Sequence, residues 1–100
     1  MLKLISLMKR AENMSVEEFR SWALEEHVPL ARDLPGLRAY SVSLTESGDG
    51  AFDCVNEMWF DDEAARVAAF VSDAGQKAAA DAAAHASERV HLVTTEHKQL

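Results

Sequence analysis

His27 lies where the apolar residues Val16, Phe19 and Ala23 lead on to Leu30 and Leu34. That three-and-four spacing is one face of a helix, so the imidazole on it is expected to point inward. A ring that titrates near neutrality and faces a core or cavity is either a structural side chain bonded to a partner or a working acid/base. Tyr40 could donate its hydroxyl to a ligand carbonyl or a developing oxyanion, or it could simply pack. What faces Tyr40 depends on the register of the following hairpin. Pairing Glu46 with Ala51 sets Glu57 opposite it, whereas pairing Ser47 with Ala51 sets Met58 there, since a slip of one residue reverses every side chain. Glu57 in that place would be a second base or an orienter for His27; otherwise it reads as a salt-bridge partner. Cys54 has no basic neighbour in sequence to stabilise a thiolate and reads as a small buried hydrophobe. His85, His91 and His97 lack the spacing of a metal-binding motif. No glycine-rich phosphate loop is present, so neither metal nor cofactor is expected.

The elements that must position these residues alternate simply. Leu2 to Met8 is a short apolar run closed by Lys9-Arg10 and reads as a strand. Ser15 and Glu18 have capping-box spacing, and Met14 with Phe19 has hydrophobic-staple spacing, so a helix starts at Ser15 and runs to about His27. Pro29 should kink or break it, and Pro35-Gly36 should stop any further turn. Leu37–Thr45 and Ala51–Phe60 read as strands joined through Ser47-Gly48-Asp49-Gly50. Asp61-Asp62-Glu63 opens a helix that Gly75 should interrupt. Gln76–Ser87 is helical by alanine propensity, and Val90–Glu96 is the last strand. The order β-α-β-β-α-β with right-handed crossovers gives an α+β, ferredoxin-like subunit: a four-stranded antiparallel sheet with both helical regions on one face.

The chain of 100 residues reads as a single domain, 1–100. Its net charge of −7 argues against nucleic acid as a partner. Charged residues in the first strand, with neither a signal segment nor a membrane span, and one unpaired cysteine lead to a cytoplasmic expectation.

A sheet with helices on one side and water on the other should alternate apolar and polar residues. Here Leu2, Leu4 and Met8 are opposed by Ile5 and Leu7, and Cys54, Met58 and Phe60 by Val55 and Trp59. Both faces are apolar, and the chain supplies helix for only one. A second copy is the simplest cover, giving a homodimer with sheets face to face and a ligand space expected between them.

KLISLMKR, MSVEEFRSW, EEHVPLARDLPGLRAY and NEMWFDDEAA together resemble the EthD family of small dimeric α/β-barrel proteins over essentially the whole chain. The most specific stretch is F-x-x-W-x-x-x-x-H-x-P followed by P-G-L-x-x-Y. The resemblance implies a homodimeric barrel with a small-molecule cavity, in a superfamily that includes muconolactone-type isomerases, cofactor-independent monooxygenases and polyketide-modifying enzymes. In methylmuconolactone-isomerising relatives a histidine and a tyrosine match His27 and Tyr40. A cysteine of that group falls at Met58, so chemistry through that thiol does not carry over. Asn56 stands where the family more often has a small apolar residue, which would reshape the cavity. Two functions follow as expectations. One is a cofactor-independent isomerase, lyase or oxidoreductase acting on an aromatic, lactone or polyketide-like compound, with His27 as acid/base, Tyr40 as donor, and Asn56, Glu57 or Met58 against the ligand. The other is a non-catalytic dimeric binding or accessory protein supporting an oxidising system.

Overall fold

The computed structural model describes residues 1–100. Strand β1 (Leu2–Arg10) is followed by helix α1 (Val16–Ser21), a π-helical turn (Trp22–His27) and helix α2 (Val28–Arg32). Strands β2 (Ala39–Leu44) and β3 (Cys54–Phe60), helices α3 (Glu63–Val71) and α4 (Asp73–His85), and strand β4 (Ala86–Thr95) complete the chain. The sheet is antiparallel in the order β2-β3-β1-β4, the ferredoxin-like arrangement expected from the element order.

The start of α1 follows its sequence signals. Ser15 Oγ accepts the Glu18 N–H at 3.1 Å and Glu18 Oε1 accepts the Ser15 N–H at 3.0 Å, a reciprocal cap. Met14 packs with the cluster that contains Phe19. Beyond Ser21 the chain departs from expectation. No break occurs at Pro29; the helix widens before it, and the Val28 N–H donates to Ala23 O, five residues back. The wider turn lets the helix run past a residue that has no amide hydrogen, and Pro29 then sits in the first turn of α2.

The α3–α4 boundary also differs from the sequence expectation. The break falls at Ser72, whose side chain caps α4 by accepting the Gly75 N–H at 3.1 Å. Gly75 lies inside α4, where a Cβ would meet Ala69 O at 2.2 Å and Phe70 Cα at 2.6 Å. Glycine is required there because α4 crosses the end of α3 backbone to backbone. Strand β4 follows α4 directly and begins at Ala86 rather than Val90. The β2 and β3 strands are shorter than expected. Asp53 ties the end of their connection to β1, accepting the Arg10 amide at 2.8 Å and its guanidinium at 2.7 Å.

Cys54, Asn56, Met58 and Phe60 of β3 are buried beneath the helices, and Val55, Glu57 and Trp59 are half-exposed on the other face. The core has two clusters. One gathers Leu4, Ala31, Leu34, Met58, Phe60 and Ala69. The other gathers Met8, Phe19, Trp22, Ala23, Cys54 and Ala82. On the opposite face Ile5, Leu7 and Val55 are only half-buried and Leu92 is 46% exposed. Lys3 bridges Glu57 and Glu96 there and lies 5.0 Å from the centre of the Trp59 ring.

Candidate functional site

Between the two core clusters the helix-facing side of the sheet changes character. On β1 the residues facing the helices run Leu4, Ser6, Met8, and the strand register sets Asn56 of β3 and His91 of β4 on either side of Ser6. This row is small and polar where the rows above and below it are mostly large and apolar. The helices cannot close fully over it, and a cavity remains. Leu4, Met58 and Phe70 wall one end, Met8 and Ala82 the other, with Ala78 and Ala79 of α4 above and Arg89 and His91 at the β4 side. This partly open space lies between the sheet and the helices of one subunit.

His27 lines the cavity and is 6% exposed. Its Nδ1 lies 2.9 Å from Asp81 Oδ2 on α4. A carboxylate can only accept, so Nδ1 carries the hydrogen and Nε2 is the ring nitrogen left for a ligand. The Trp22 indole N–H donates to the same carboxylate at 3.2 Å. The Trp22 ring packs 4.9 Å from the His27 ring and stacks on His85 at 4.5 Å, 17° from parallel. His85 in turn donates from Nδ1 to the Asp81 backbone carbonyl at 2.8 Å. The π-helical turn makes this packing feasible. On an α-helix at 3.6 residues per turn, side chains five apart diverge by about 140°, but the wider turn brings Trp22 and His27 together. Each N–H bond to the part-buried carboxylate is worth about 1.5–3 kcal/mol, so His27 is held by more than one restraint.

Asn56 is buried beside the cavity, and its Oδ1 accepts the Cys54 thiol at 3.7 Å, which leaves the amide hydrogens free to act as donors. Burial pushes the Cys54 thiol up to about 11 and outweighs that hydrogen bond, so Cys54 is no ready nucleophile. His91 is held below the usual imidazole range, first by desolvation and then by the charges of Arg89 and Arg66.

Tyr40 pairs with Met58, the register of the shorter loop, and Met58 lines the cavity. Two sequence expectations are corrected here. Glu57 lies on the open face in a salt bridge to Lys3, so it neither faces Tyr40 nor orients His27; Asp81 does the latter. Tyr40 does not line the cavity. Its ring packs against the Leu4–Met58–Phe60 cluster and borders a separate open groove with Leu24, Val28 and Leu37. Its hydroxyl is buried with no partner, and burial, with a smaller push from Cys54, raises its pKa to about 12. A buried hydroxyl without a partner costs about 1–3 kcal/mol. Tyr40→Phe is therefore expected to raise the urea midpoint, by about 1 kcal/mol of stability; a lower midpoint would mean that the hydroxyl has a native partner.

Sequence reading missed Ser6, Trp22, Asp81 and Arg89. Ser6 is the polar break in the helix-facing set of β1, and Asp81 is the acid set among alanines in α4, with His85 one turn on.

The architecture is that of a ferredoxin-like α+β subunit with a helix-side cavity. Residues 11–88 match the EthD domain, and the chain belongs to the EthD family. It is 32% identical over 76 residues, 73% of this chain and 74% of the relative, to an uncharacterized 11.0 kDa protein from the thcB-thcC intergenic region of Rhodococcus erythropolis. The crystal structure of an ethyl tert-butyl ether D family protein from Bacillus halodurans superposes with a TM-score of 0.86 at 29% identity, covering 97% of this chain and 99% of that one. A dimeric ferredoxin-like protein of unknown function from Thermobifida fusca shares the fold at TM-score 0.79 and 17% identity, over 95% and 90% of the two chains. So does SnoaB, a cofactor-independent oxygenase from Streptomyces nogalater, at TM-score 0.75 and 16% identity, over 99% and 95%. No helix is long and apolar enough to cross a membrane.

Proposed function

We propose that the protein is a cofactor-independent enzyme that binds a small aromatic, lactone or polyketide-like compound in the helix-side cavity, with His27 moving the proton. The observation that carries this reading is the buried His27 imidazole, pinned through Nδ1 by Asp81 on the wall of a cavity between sheet and helices. A ring hydroxyl or an acidic C–H within reach of Nε2 gives up its proton to that nitrogen, and the Asp81 carboxylate stabilises the imidazolium as it forms. The Asn56 amide donates to the oxyanion left behind. Met8, Met58 and Phe70 hold the rest of the ligand and exclude water. The enolate or phenolate so formed is the shared intermediate of double-bond isomerisation and elimination. In electron-rich rings it is also the species that reacts with dioxygen, consistent with a structural relative being a cofactor-independent oxygenase.

The expected test result is turnover of at least one member of a panel of hydroxynaphthoquinols, unsaturated lactones and enolisable diketones, with no added flavin or metal. If cavity-binding compounds from all three classes are returned unchanged, the catalytic reading falls and a binding protein remains.

The protein acts as a homodimer in this reading, its open sheet face covered by a second copy. Support comes from Ile5, Leu7, Val55 and Leu92 on a face that no helix covers, and from the dimeric Thermobifida fusca relative. Leu92→Glu sets a charge on that face and is expected to give a folded monomer in native mass spectrometry. An unchanged dimer would place the interface elsewhere.

A further inference from the structure

The chain carries a net charge of −7, yet no carboxylate lines the cavity. Its charged or titratable lining residues are His27, Arg89 and His91. Arg89 forms no salt bridge, and its only hydrogen bond is a long one, 3.4 Å, from Nη1 to the Ala79 carbonyl. Arg89 and His91 lie on the same face of β4, at the exposed edge of the sheet, paired with Met8 and Ser6 of β1. Arg66 of α3, its guanidinium held by Glu63, adds a smaller contribution to His91 than burial or Arg89.

We propose that the ligand is an anion, a carboxylate- or phenolate-bearing ring, whose charge pairs with Arg89 and His91 at the β4 mouth while its ring lies against Met8, Met58 and Phe70. This rests on the reading of the cavity as the working site and narrows its substrate class. Arg89 presents a planar fork of donors suited to a carboxylate. His91, held below the usual imidazole range, contributes a hydrogen bond. The ring end then lies toward Asn56 and His27, which orients the molecule so that the proton transferred is remote from the charge. In a protein of overall negative charge, a local cationic mouth also selects against neutral and cationic competitors.

The test uses benzoate and its neutral isostere benzamide, titrated into the 15N-labelled full-length protein at low ionic strength. Shifts at His27, Asn56 and His91 report occupancy of the cavity. Benzoate is expected to bind about tenfold more tightly than benzamide, equivalent to about 1.4 kcal/mol. In R89Q the preference should fall below about twofold, and in R89K it should return in part; Arg89 is exposed, so both variants should fold, and the retained amide spectrum checks this. The His91 titration midpoint should rise when benzoate is bound. Equal binding of the two probes in the cavity overturns the anion assignment and leaves the proposed function standing. A benzoate preference unchanged in R89Q overturns it as well. Binding of neither probe in the cavity overturns both.

Discussion

His27→Gln is expected to lower turnover by about two to four orders of magnitude, the usual contribution of a positioned acid/base, without loss of folding. Glutamine retains an amide donor but lacks a titratable nitrogen facing the cavity. Asp81→Asn provides the complementary test. An amide at that position can donate to Nδ1, which favours the tautomer with hydrogen on Nε2 and removes the lone pair from the cavity. Turnover should fall in this variant too, while Asp81→Glu should restore part of it. Thermal melts on the same preparations separate the alternatives. If both variants melt like the parent and keep full turnover, His27 is a structural residue. If activity is lost only in step with folding, the histidine holds the helices rather than working on a ligand.

Gly75→Ala is expected to produce the largest loss of stability of any single methyl addition in the chain. The new Cβ would lie 2.2 Å from Ala69 O, 2.6 Å from Phe70 Cα and 2.8 Å from Phe70 C, all backbone atoms that no rotamer change can clear. Overpacking typically costs about 1–3 kcal/mol, and a clash with backbone should reach at least the upper end. The control is Gly50→Ala, where the nearest atom is Phe52 O at 3.7 Å, an ordinary contact. Urea unfolding of the two should separate them by about 2–3 kcal/mol; equal midpoints would mean that the α3–α4 crossing relaxes freely. Because Ala78, Asp81 and Ala82 follow Gly75 on α4, moving that helix also opens the cavity roof and shifts the carboxylate that holds His27.

Much of this was legible in the residues. The capping box at Ser15, the opposed apolar sets on β1 and β3, and the inward stripe through His27 are local patterns, and local patterns survive folding. The features that were not legible depend on chain-distant geometry. The choice between Glu57 and Met58 opposite Tyr40 turned on one residue of hairpin register, which the fold carries into the loop through the Thr45 N–H donating to Asp53 O at 3.1 Å. Asp81 could not be matched to His27 from spacing, since α4 arrives from the far end of the chain to meet it. Gly75 read as a helix break because propensity carries no information about a neighbouring helix. Tyr40 was joined to the site by family resemblance; its partner-free hydroxyl beside the other core cluster is a property of the packed interior.

The wide turn between Trp22 and His27 sets a different kind of constraint from the side chains around it. Leu24, Glu25 and Glu26 within it face solvent, so their identities are nearly free to drift. Their number is adjustable in one direction only. Removing one of them restores ordinary winding, in which residues four apart share a face, so the imidazole keeps its place beside the indole. Adding one instead turns everything downstream by about 100° about the helix axis, away from both the indole and the carboxylate. The turn has already taken up the one residue it can absorb: a single-codon deletion here should be tolerated where a single-codon insertion is not.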